Sequence, residues 1–241
     1  MDQIQTAVDR LDRWISNSGW VGYDPFDGLS APGINRLTFG VPILRMALQQ
    51  TVRRFPMNLR PLLGITKKHS TKAMGYLATS YLRLHELTGR QDYLEKAKFC
   101  LSDLRCSHGQ ENADYAWGNA FDYQSRGGYN REGVPTMVWT SFIGHGFVGA
   151  YELLEDQIHL EVLRSACEFM LRDLTSSETE DKSCAPIGFL PHDRSSIHNS
   201  NMLGASLLAR VHKDVGESEL REHACVGNGS GISIGALRGN H

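Results

Sequence analysis

The chain has 241 residues, of which 41% are hydrophobic and 22% are charged, and its formal net charge is −2. This composition is typical of a globular protein with one sizeable core, and the near-neutral charge argues against nucleic acid as the main partner. No apolar run approaches the roughly 18 residues of a membrane span, and the N-terminus lacks the regions of a signal peptide, so we expect a cytoplasmic protein without a span.

Apolar residues recur at intervals of three and four along most of the chain, which predicts an all-α protein with about seven to eight helices. In chain order the predicted helices span about 4–18, 41–55, 70–88, 92–104, 136–154, 158–174 and 199–213. Asp92 is the predicted N-cap of the fourth helix. No segment alternates for long enough to predict a strand. Five cysteines form no CxxC pair, and those near the apolar helices are predicted to be buried free thiols.

The predicted helices form hairpins, and the hairpins repeat. The sequence His85-Glu-Leu-Thr-Gly is matched by Tyr151-Glu-Leu-Leu-Glu, and a weaker third copy begins near Leu203. Such hairpins bury their apolar faces only by stacking on neighbours. Residues 1–215 are therefore predicted to form one domain, a toroid-like stack of α/α hairpins whose long loops line a cleft. Residues 216–241 are rich in glycine and are predicted to be an irregular tail, disordered or aberrant.

The segment from Tyr115 to Arg126 has the chemistry of a sugar-binding cleft. It holds four aromatic side chains, two amides, one carboxylate and one arginine in twelve residues. Aromatic ring faces stack on sugars, and sugar hydroxyls need directional hydrogen-bond partners. The predicted substrate-binding residues of this segment are Trp117, Asn119, Tyr123, Gln124 and Arg126. The guanidinium of Arg126 suits a uronic-acid carboxylate, or alternatively an ion pair within the loop. The alternative for the whole segment is that its aromatic rings pack into a helical core.

Four motifs follow one another along the chain. They are Gly22-Tyr-Asp-Pro-Phe-Asp-Gly28, Trp117-Gly-Asn-Ala-Phe-Asp-Tyr-Gln-Ser-Arg126, Pro135-Thr-Met-Val-Trp-Thr-Ser-Phe-Ile-Gly144 and His198-Asn-Ser-Asn201. In these motifs the chain resembles the six-hairpin glycosidase-like superfamily, and specifically a group from bacterial exopolysaccharide-biosynthesis clusters. The resemblance implies an (α/α)6 barrel and a carbohydrate ligand. Six hairpins need twelve helices, so we expect an incomplete toroid from a truncated chain, with an apolar edge that promotes self-association.

Glycoside hydrolysis uses two carboxylates, one as a proton donor and one as a base or nucleophile. Asp122 is the first catalytic candidate, because Phe121 and Tyr123 are expected to shield it from water. Asp24 and Asp27 are the candidates for the second carboxylate. Both also lie in turn-forming Asp-Pro and Asp-Gly pairs, in which the side chain commonly binds its own backbone.

Three further residues outside these loops are predicted to bind substrate. His145 lies between two glycines in the fifth helix and either faces a cavity or is a core histidine. Asn199 and Asn201, at the start of the seventh helix, either hold sugar hydroxyls or cap the helix.

The sequence therefore predicts a carbohydrate-active protein of bacterial polysaccharide biosynthesis or processing, a glycoside hydrolase or lyase that uses Asp122. The alternatives are a non-catalytic glycan-binding or assembly protein and an inactive, truncated helical-repeat fragment. No cofactor is expected, because nucleotide-binding glycine motifs are absent. No metal is expected either, because the spacing of His192, Asp193 and His198 matches no zinc pattern.

Overall fold

The computed structural model describes residues 2–108, 114–174, 188–191 and 197–215. Eight α-helices lie in these ranges, and the predicted all-α class is confirmed. They are α1 (Asp2–Asn17), α2 (Ile34–Leu37), α3 (Pro42–Arg54), α4 (Thr71–Thr88), α5 (Gln91–Cys106), α6 (Met137–Leu154), α7 (Gln157–Asp173) and α8 (His198–Val215). A short 3-10 helix spans Asp27–Ser30. The predicted tail at 216–241 lies outside the described residues.

Two local predictions were wrong. A small antiparallel hairpin joins β1 (Tyr123–Gln124) to β2 (Tyr129–Asn130), where no strand was predicted. Strands of two residues are too short to show alternation in a sequence. Asp92 does not cap α5, because the N-cap is Arg90 and Asp92 lies inside the first turn. There its carboxylate pairs with the guanidinium of Arg90 at 2.6 Å.

The chain divides into two compact units. Unit 1 contains Met1–Ser70 and Asn119–Glu132, and unit 2 contains Thr71–Gly118 and Gly133–His241. The single domain predicted for residues 1–215 stays a prediction.

Unit 2 holds the stacked hairpins α4–α5 and α6–α7, together with α8. Helix α6 contacts α4, α7 and α8, which agrees with its mainly apolar sequence. Close helix packing depends on glycines. A Cβ atom at Gly75 would lie 2.9 Å from Ile143 of α6, and one at Gly146 would lie 3.3 Å from the carbonyl oxygen of Gly75. These positions let the backbones of α4 and α6 approach closely.

Unit 1 has a smaller core beneath α3. Its buried members are Leu29, Ala31, Ile34, Val52 and Ile65, and Tyr129 of β2 packs against them. Two backbone hydrogen bonds between Gly22 and Lys68, both 3.1 Å, close the chain around this core. The core therefore fixes α3, the loop 22–28 and the β1–β2 hairpin within one unit.

The described helices include none that is both long and apolar enough to cross a membrane. Cys100, Cys106 and Cys167 are free thiols. Cys100 and Cys167 are buried, as predicted, whereas Cys106 is exposed. Cys184 and Cys225 lie outside the described residues.

Candidate functional site

Asp122 is held by two hydrogen bonds from its own loop. The Tyr129 hydroxyl donates to Oδ2 at 2.7 Å, and the backbone N–H of Glu132 donates to Oδ1 at 2.8 Å. The carboxylate of Glu132 in turn accepts a hydrogen bond from Lys68 Nζ at 2.6 Å. Asp122 is half-buried. Its carboxylate is therefore fixed in orientation while part of the side chain remains in contact with solvent.

The β1–β2 hairpin is attached to α3 by a paired side-chain contact. The backbone N–H of Gln124 donates to Gln49 Oε1 at 2.7 Å, and Gln49 Nε2 donates to the Gln124 carbonyl at 3.4 Å. Both glutamines are buried. The ring of Tyr123 meets the ring of Phe26 edge-on, with centroids 5.6 Å apart. The hairpin thus lies against both α3 and the loop 22–28. We call residues 22–28 together with residues 119–132 the loop–hairpin region.

The two acidic residues of the loop 22–28 have different surroundings. Asp24 is half-buried, and its Oδ1 accepts a hydrogen bond from the backbone N–H of Phe26 at 2.9 Å. This is the turn-forming alternative considered for the sequence. Asp27 is 5% exposed and pairs with Arg60, with Nε and Oδ1 2.7 Å apart. Burial raises the pKa of Asp27, and the hydrogen bond from Arg60 opposes that rise. Of the two, Asp24 is the carboxylate with access to solvent.

Helix α3 supplies site residues that the sequence interpretation missed. Arg45 lies over the ring of Tyr129 at 4.0 Å from its centroid, and Arg53 lies over the ring of Phe26 at 4.4 Å. Residues 45, 49 and 53 are spaced by four and share one face of the helix. The sequence does contain a signal for these residues. Residues 28–70 include seven Lys or Arg and no Asp or Glu, and Arg45, Gln49 and Arg53 are spaced by four within that range.

Trp117 is a core residue of unit 2. It is fully buried, its Nε1 donates to the carbonyl of Leu104 at 2.9 Å, and its ring stacks on Phe147 with centroids 5.7 Å apart. Its backbone N–H donates to Thr140 Oγ1 at 3.2 Å. A sugar-stacking ring needs a face open to solvent. The buried ring of Trp117 agrees with the packing alternative, and its role in substrate binding stays a prediction.

His145 is half-buried on α6 beside an ion pair. Its Nδ1 lies 3.4 Å from Arg210 Nη1, and Arg210 pairs with Glu152 at 2.9 Å. Burial, and secondarily the positive charge of Arg210, lower the pKa of His145 to about 4. The imidazole is therefore neutral near pH 7 and accepts a hydrogen bond from Arg210 at Nδ1.

The predicted amide ligands differ in exposure. Asn119 is 9% exposed, and its Oδ1 has no hydrogen-bond partner within the described ranges. Gln124 Oε1 likewise has no hydrogen-bond partner among the described residues. Asn199 is exposed at the start of α8, whereas Asn201 is buried. Arg126 is exposed in the turn between β1 and β2 and forms no ion pair with any described residue.

The predicted site residues divide between the units. Unit 1 contains Asp24, Asp27, Asn119, Asp122, Tyr123, Gln124 and Arg126; unit 2 contains Trp117, His145, Asn199 and Asn201. All three catalytic candidates lie in the loop–hairpin region of unit 1, and their catalytic roles stay predictions.

No protein-family model matches the chain, and no curated protein matches it. The chain is similar to a glycoside hydrolase family 76 mannosidase, Bt3792 from Bacteroides thetaiotaomicron, at 15% identity over 67% of this chain and 43% of that chain, with a TM-score of 0.47. It is also similar to cellobiose 2-epimerase from Bacillus thermoamylovorans, at 10% identity over 84% and 58% of the two chains, with a TM-score of 0.49.

A third similar structure is the GH76A α-1,6-mannanase from Salegentibacter sp., at 14% identity over 90% of this chain and 62% of that chain, with a TM-score of 0.47. The chain spans 43% to 62% of the length of these three structures.

Proposed function

We propose that the chain is a carbohydrate-active protein of bacterial polysaccharide biosynthesis or processing, and that the loop–hairpin region of unit 1 is its saccharide site. The supporting observation is the half-buried carboxylate of Asp122, which two hydrogen bonds hold in place. It is followed in the chain by the half-buried Tyr123 and by Gln124, whose Oε1 has no partner among the described residues. Carboxylates, amides and aromatic edges are the groups that bind sugar hydroxyls and sugar faces. A cytoplasmic location belongs to the same proposal.

The proposed reaction is hydrolysis of a glycosidic bond, with Asp122 as the carboxylate that activates water or attacks the anomeric carbon. Two donors hold this carboxylate in one orientation, which is the positioning that such a role needs. Asp24 is the proposed proton donor, because it reaches solvent and its Oδ2 is not used in the turn. Asp27 is less suited, because it is buried and paired with Arg60.

A second function is favoured by a specific observation. Both oxygens of Asp122 are occupied, one by Tyr129 and one by the backbone of Glu132. This is also the arrangement of a carboxylate whose role is to hold the 119–132 loop in shape. On that basis the region binds glycan without turnover, and Asp122 positions the residues that do so.

The test compares Asp122→Asn with Glu132→Gln in the purified 241-residue chain. Asparagine keeps the size of the side chain and can still accept one hydrogen bond, whereas Glu132 is an exposed residue of the same loop. We expect Asp122→Asn to lower the turnover of oligosaccharides from bacterial exopolysaccharide by about a hundredfold or more. Glu132→Gln should retain turnover. Saccharide binding is measured in parallel by calorimetry.

The outcomes separate the two functions. Lost turnover with retained saccharide binding supports catalysis by Asp122. Saccharide binding by the unaltered chain without any turnover supports the binding function, and in that case Asp122→Asn should weaken binding through the loop. Turnover that is equal in Asp122→Asn and in the unaltered chain contradicts a catalytic role for Asp122.

A further inference from the structure

We propose that the loop–hairpin region selects anionic saccharides, that is, saccharides bearing a carboxylate or phosphate group, and that Arg45 and Arg53 of α3 bind the anionic group. The inference rests on the proposed saccharide site and names the class of ligand that it takes. It is carried by the arrangement of arginines on one face of α3 and by the lack of acidic partners around them.

Arg45 and Arg53 are placed at the two ends of the α3 face that contacts the loop–hairpin region. They lie eight residues apart, or about 12 Å along a helix, on either side of Gln49. Arg45 covers the ring of Tyr129, whose hydroxyl binds Asp122, and Arg53 covers the ring of Phe26. Both guanidinium groups are therefore next to side chains of the proposed site.

The contacts of these arginines leave their hydrogen-bond donors available. A guanidinium that lies over an aromatic ring uses its flat face, and its N–H groups point outward along the edge. No carboxylate pairs with Arg45 or Arg53 among the described residues, and Arg45 Nε is buried there without a hydrogen-bond partner. A buried guanidinium donor without a partner is unfavourable unless a ligand supplies an acceptor.

Three of the four acidic residues in the loop–hairpin region are committed to other groups, and Asp24, the fourth, binds the backbone N–H of Phe26 through Oδ1. Asp27 pairs with Arg60, Glu132 pairs with Lys68, and Asp122 accepts two hydrogen bonds from its own loop. Unit 1 as a whole contains eleven Lys or Arg and seven Asp or Glu, although the chain has a net charge of −2. A ligand with a negative group thus meets a locally positive unit with two free guanidinium forks.

Carboxylate and phosphate oxygens match this arrangement better than sugar hydroxyls do. Arginine forms paired, charge-assisted hydrogen bonds to planar carboxylates and to phosphates, which are about twice as strong as neutral hydrogen bonds. The exposed Arg126, in the turn between the strands, adds a third positive charge to the same unit. An anionic saccharide is therefore expected to bind more tightly than its neutral counterpart.

The experiment measures binding to two matched pairs of probes by calorimetry. The first pair is tetragalacturonate and its fully methyl-esterified form, and the second is maltotetraose with and without a phosphate on one 6-hydroxyl. We expect the charged member of at least one pair to bind the unaltered chain roughly tenfold to a hundredfold more tightly, with a preference that weakens at high salt. The pair that shows the preference identifies carboxylate or phosphate as the recognised group.

Substitutions on α3 test whether Arg45 and Arg53 cause the preference for the charged probe. Arg45→Gln and Arg53→Gln should each reduce the preference for the charged probe, while affinity for the neutral probe is kept. Arg54→Gln is the matched control, because Arg54 is exposed on the same helix and contacts no aromatic ring of the described residues. Arg45→Lys keeps the charge but loses the planar fork, so it should retain only part of the preference. Thermal melts of each variant check that the fold is retained.

Two results would overturn the inference. Equal affinity for charged and neutral probes contradicts it and leaves the saccharide site in place. A preference that survives in Arg45→Gln and Arg53→Gln shows that other residues bind the anion. If no saccharide of either charge binds the unaltered chain, the proposed function fails together with the inference.

Discussion

The environment of His145 makes the stability of unit 2 depend on pH. Its pKa is lowered to about 4, first by burial and then by the charge of Arg210, against 6.5 for a free histidine. The fold favours the neutral imidazole, so this contribution to the free energy of unfolding is complete above pH 6.5. It is lost progressively as the pH falls from 6.5 toward 4 and does not change further below that range.

We therefore predict that His145→Gln flattens the pH dependence of stability between pH 6.5 and 4. The unaltered chain should lose on the order of 1 to 3 kcal/mol more than the variant over that range. The measurement is urea denaturation at a series of pH values. His198→Gln is the control, since His198 is exposed at the start of α8. An identical pH dependence in His145→Gln and the unaltered chain would show that His145 does not contribute.

The roles of single residues in the loop 22–28 follow from neighbours that are distant in the sequence. Asp24 and Asp27 lie three residues apart, yet Asp24 reaches solvent and Asp27 is buried against Arg60. The sequence indicated the turn, because Asp-Pro and Asp-Gly are local signals. It did not indicate Arg60, which lies 33 residues further along the chain. Charge pairing over that distance depends on the packing of the unit 1 core.

At the scale of elements, the segment before the hairpin depends on the absence of a side chain at Gly118. A Cβ atom there would overlap the backbone carbonyl of Val134. This part of the chain pairs with the residues that lead into α6, since Thr136 N–H donates to the carbonyl of Trp117 at 3.0 Å, and Thr71 Oγ1 donates to the carbonyl of Gly118 at 2.7 Å. Neither backbone can move without breaking these hydrogen bonds.

Gly118→Ala is predicted to destabilise the protein by about 1–3 kcal/mol or more, because the added methyl group meets backbone atoms and not a flexible side chain. Gly149→Ala on α6 is the matched control. A Cβ there would lie 3.8 Å from Leu82, an ordinary contact, and alanine favours the helix by roughly 0.5–1 kcal/mol. Guanidinium denaturation of both variants tests this contrast. Equal stability of the two alanine variants would contradict it.

Seven of the eight described helices were predicted from the sequence because each carries a long local signal, whereas α2, with four residues, was not predicted. Helix α6 begins at Met137 behind Thr136, whose hydroxyl accepts a hydrogen bond from the Trp139 N–H at 3.2 Å, as expected for an N-cap next to an apolar run. The hairpin was not predictable, because its strands have two residues each and its attachment depends on Gln49. Side-chain amides that bind a distant backbone leave no periodic signal in a sequence.

The candidate site was predictable in residue type but not in arrangement. The segment from Tyr115 to Arg126 was interpreted as one aromatic cleft, whereas its first part belongs to unit 2 and its second part to unit 1. Trp117 and Tyr123 therefore have different environments: one ring is fully buried and the other is half-buried against Phe26. Tertiary packing decides which aromatic side chains of a loop remain accessible.

At the scale of the whole molecule, charge is distributed unevenly between the units. Unit 1 has a formal charge of +4, from eleven basic and seven acidic residues, so the remaining residues of the chain carry −6. An overall charge near zero thus conceals a positive unit. The net charge of the whole chain argues against nucleic acid as a partner, but this argument does not apply to unit 1, which is positive. The net charge also gives no sign of a preference for an anionic saccharide.

Several apolar side chains of the amphipathic helix α1 are exposed to solvent. On α1, Ile4, Leu11 and Trp14 are 74%, 57% and 67% exposed, whereas Ile15 of the same helix is buried. Ile4, Leu11 and Trp14 are spaced by seven and three and form one stripe, which we call the α1 stripe. Exposed apolar stripes of this spacing are typical of helices that pair with another helix.

We predict that the chain self-associates through the α1 stripe. Replacing Leu11 and Trp14 by glutamine removes two large apolar side chains, each worth about 1.5–3 kcal/mol when fully buried, so the dissociation constant should rise tenfold or more. Sedimentation velocity over a range of protein concentrations measures the effect. Leu87→Gln is the control, because Leu87 is 82% exposed on α4 and lies outside the stripe. The same association in the α1 double variant, or an equal loss in Leu87→Gln, would show that another surface mediates the contact.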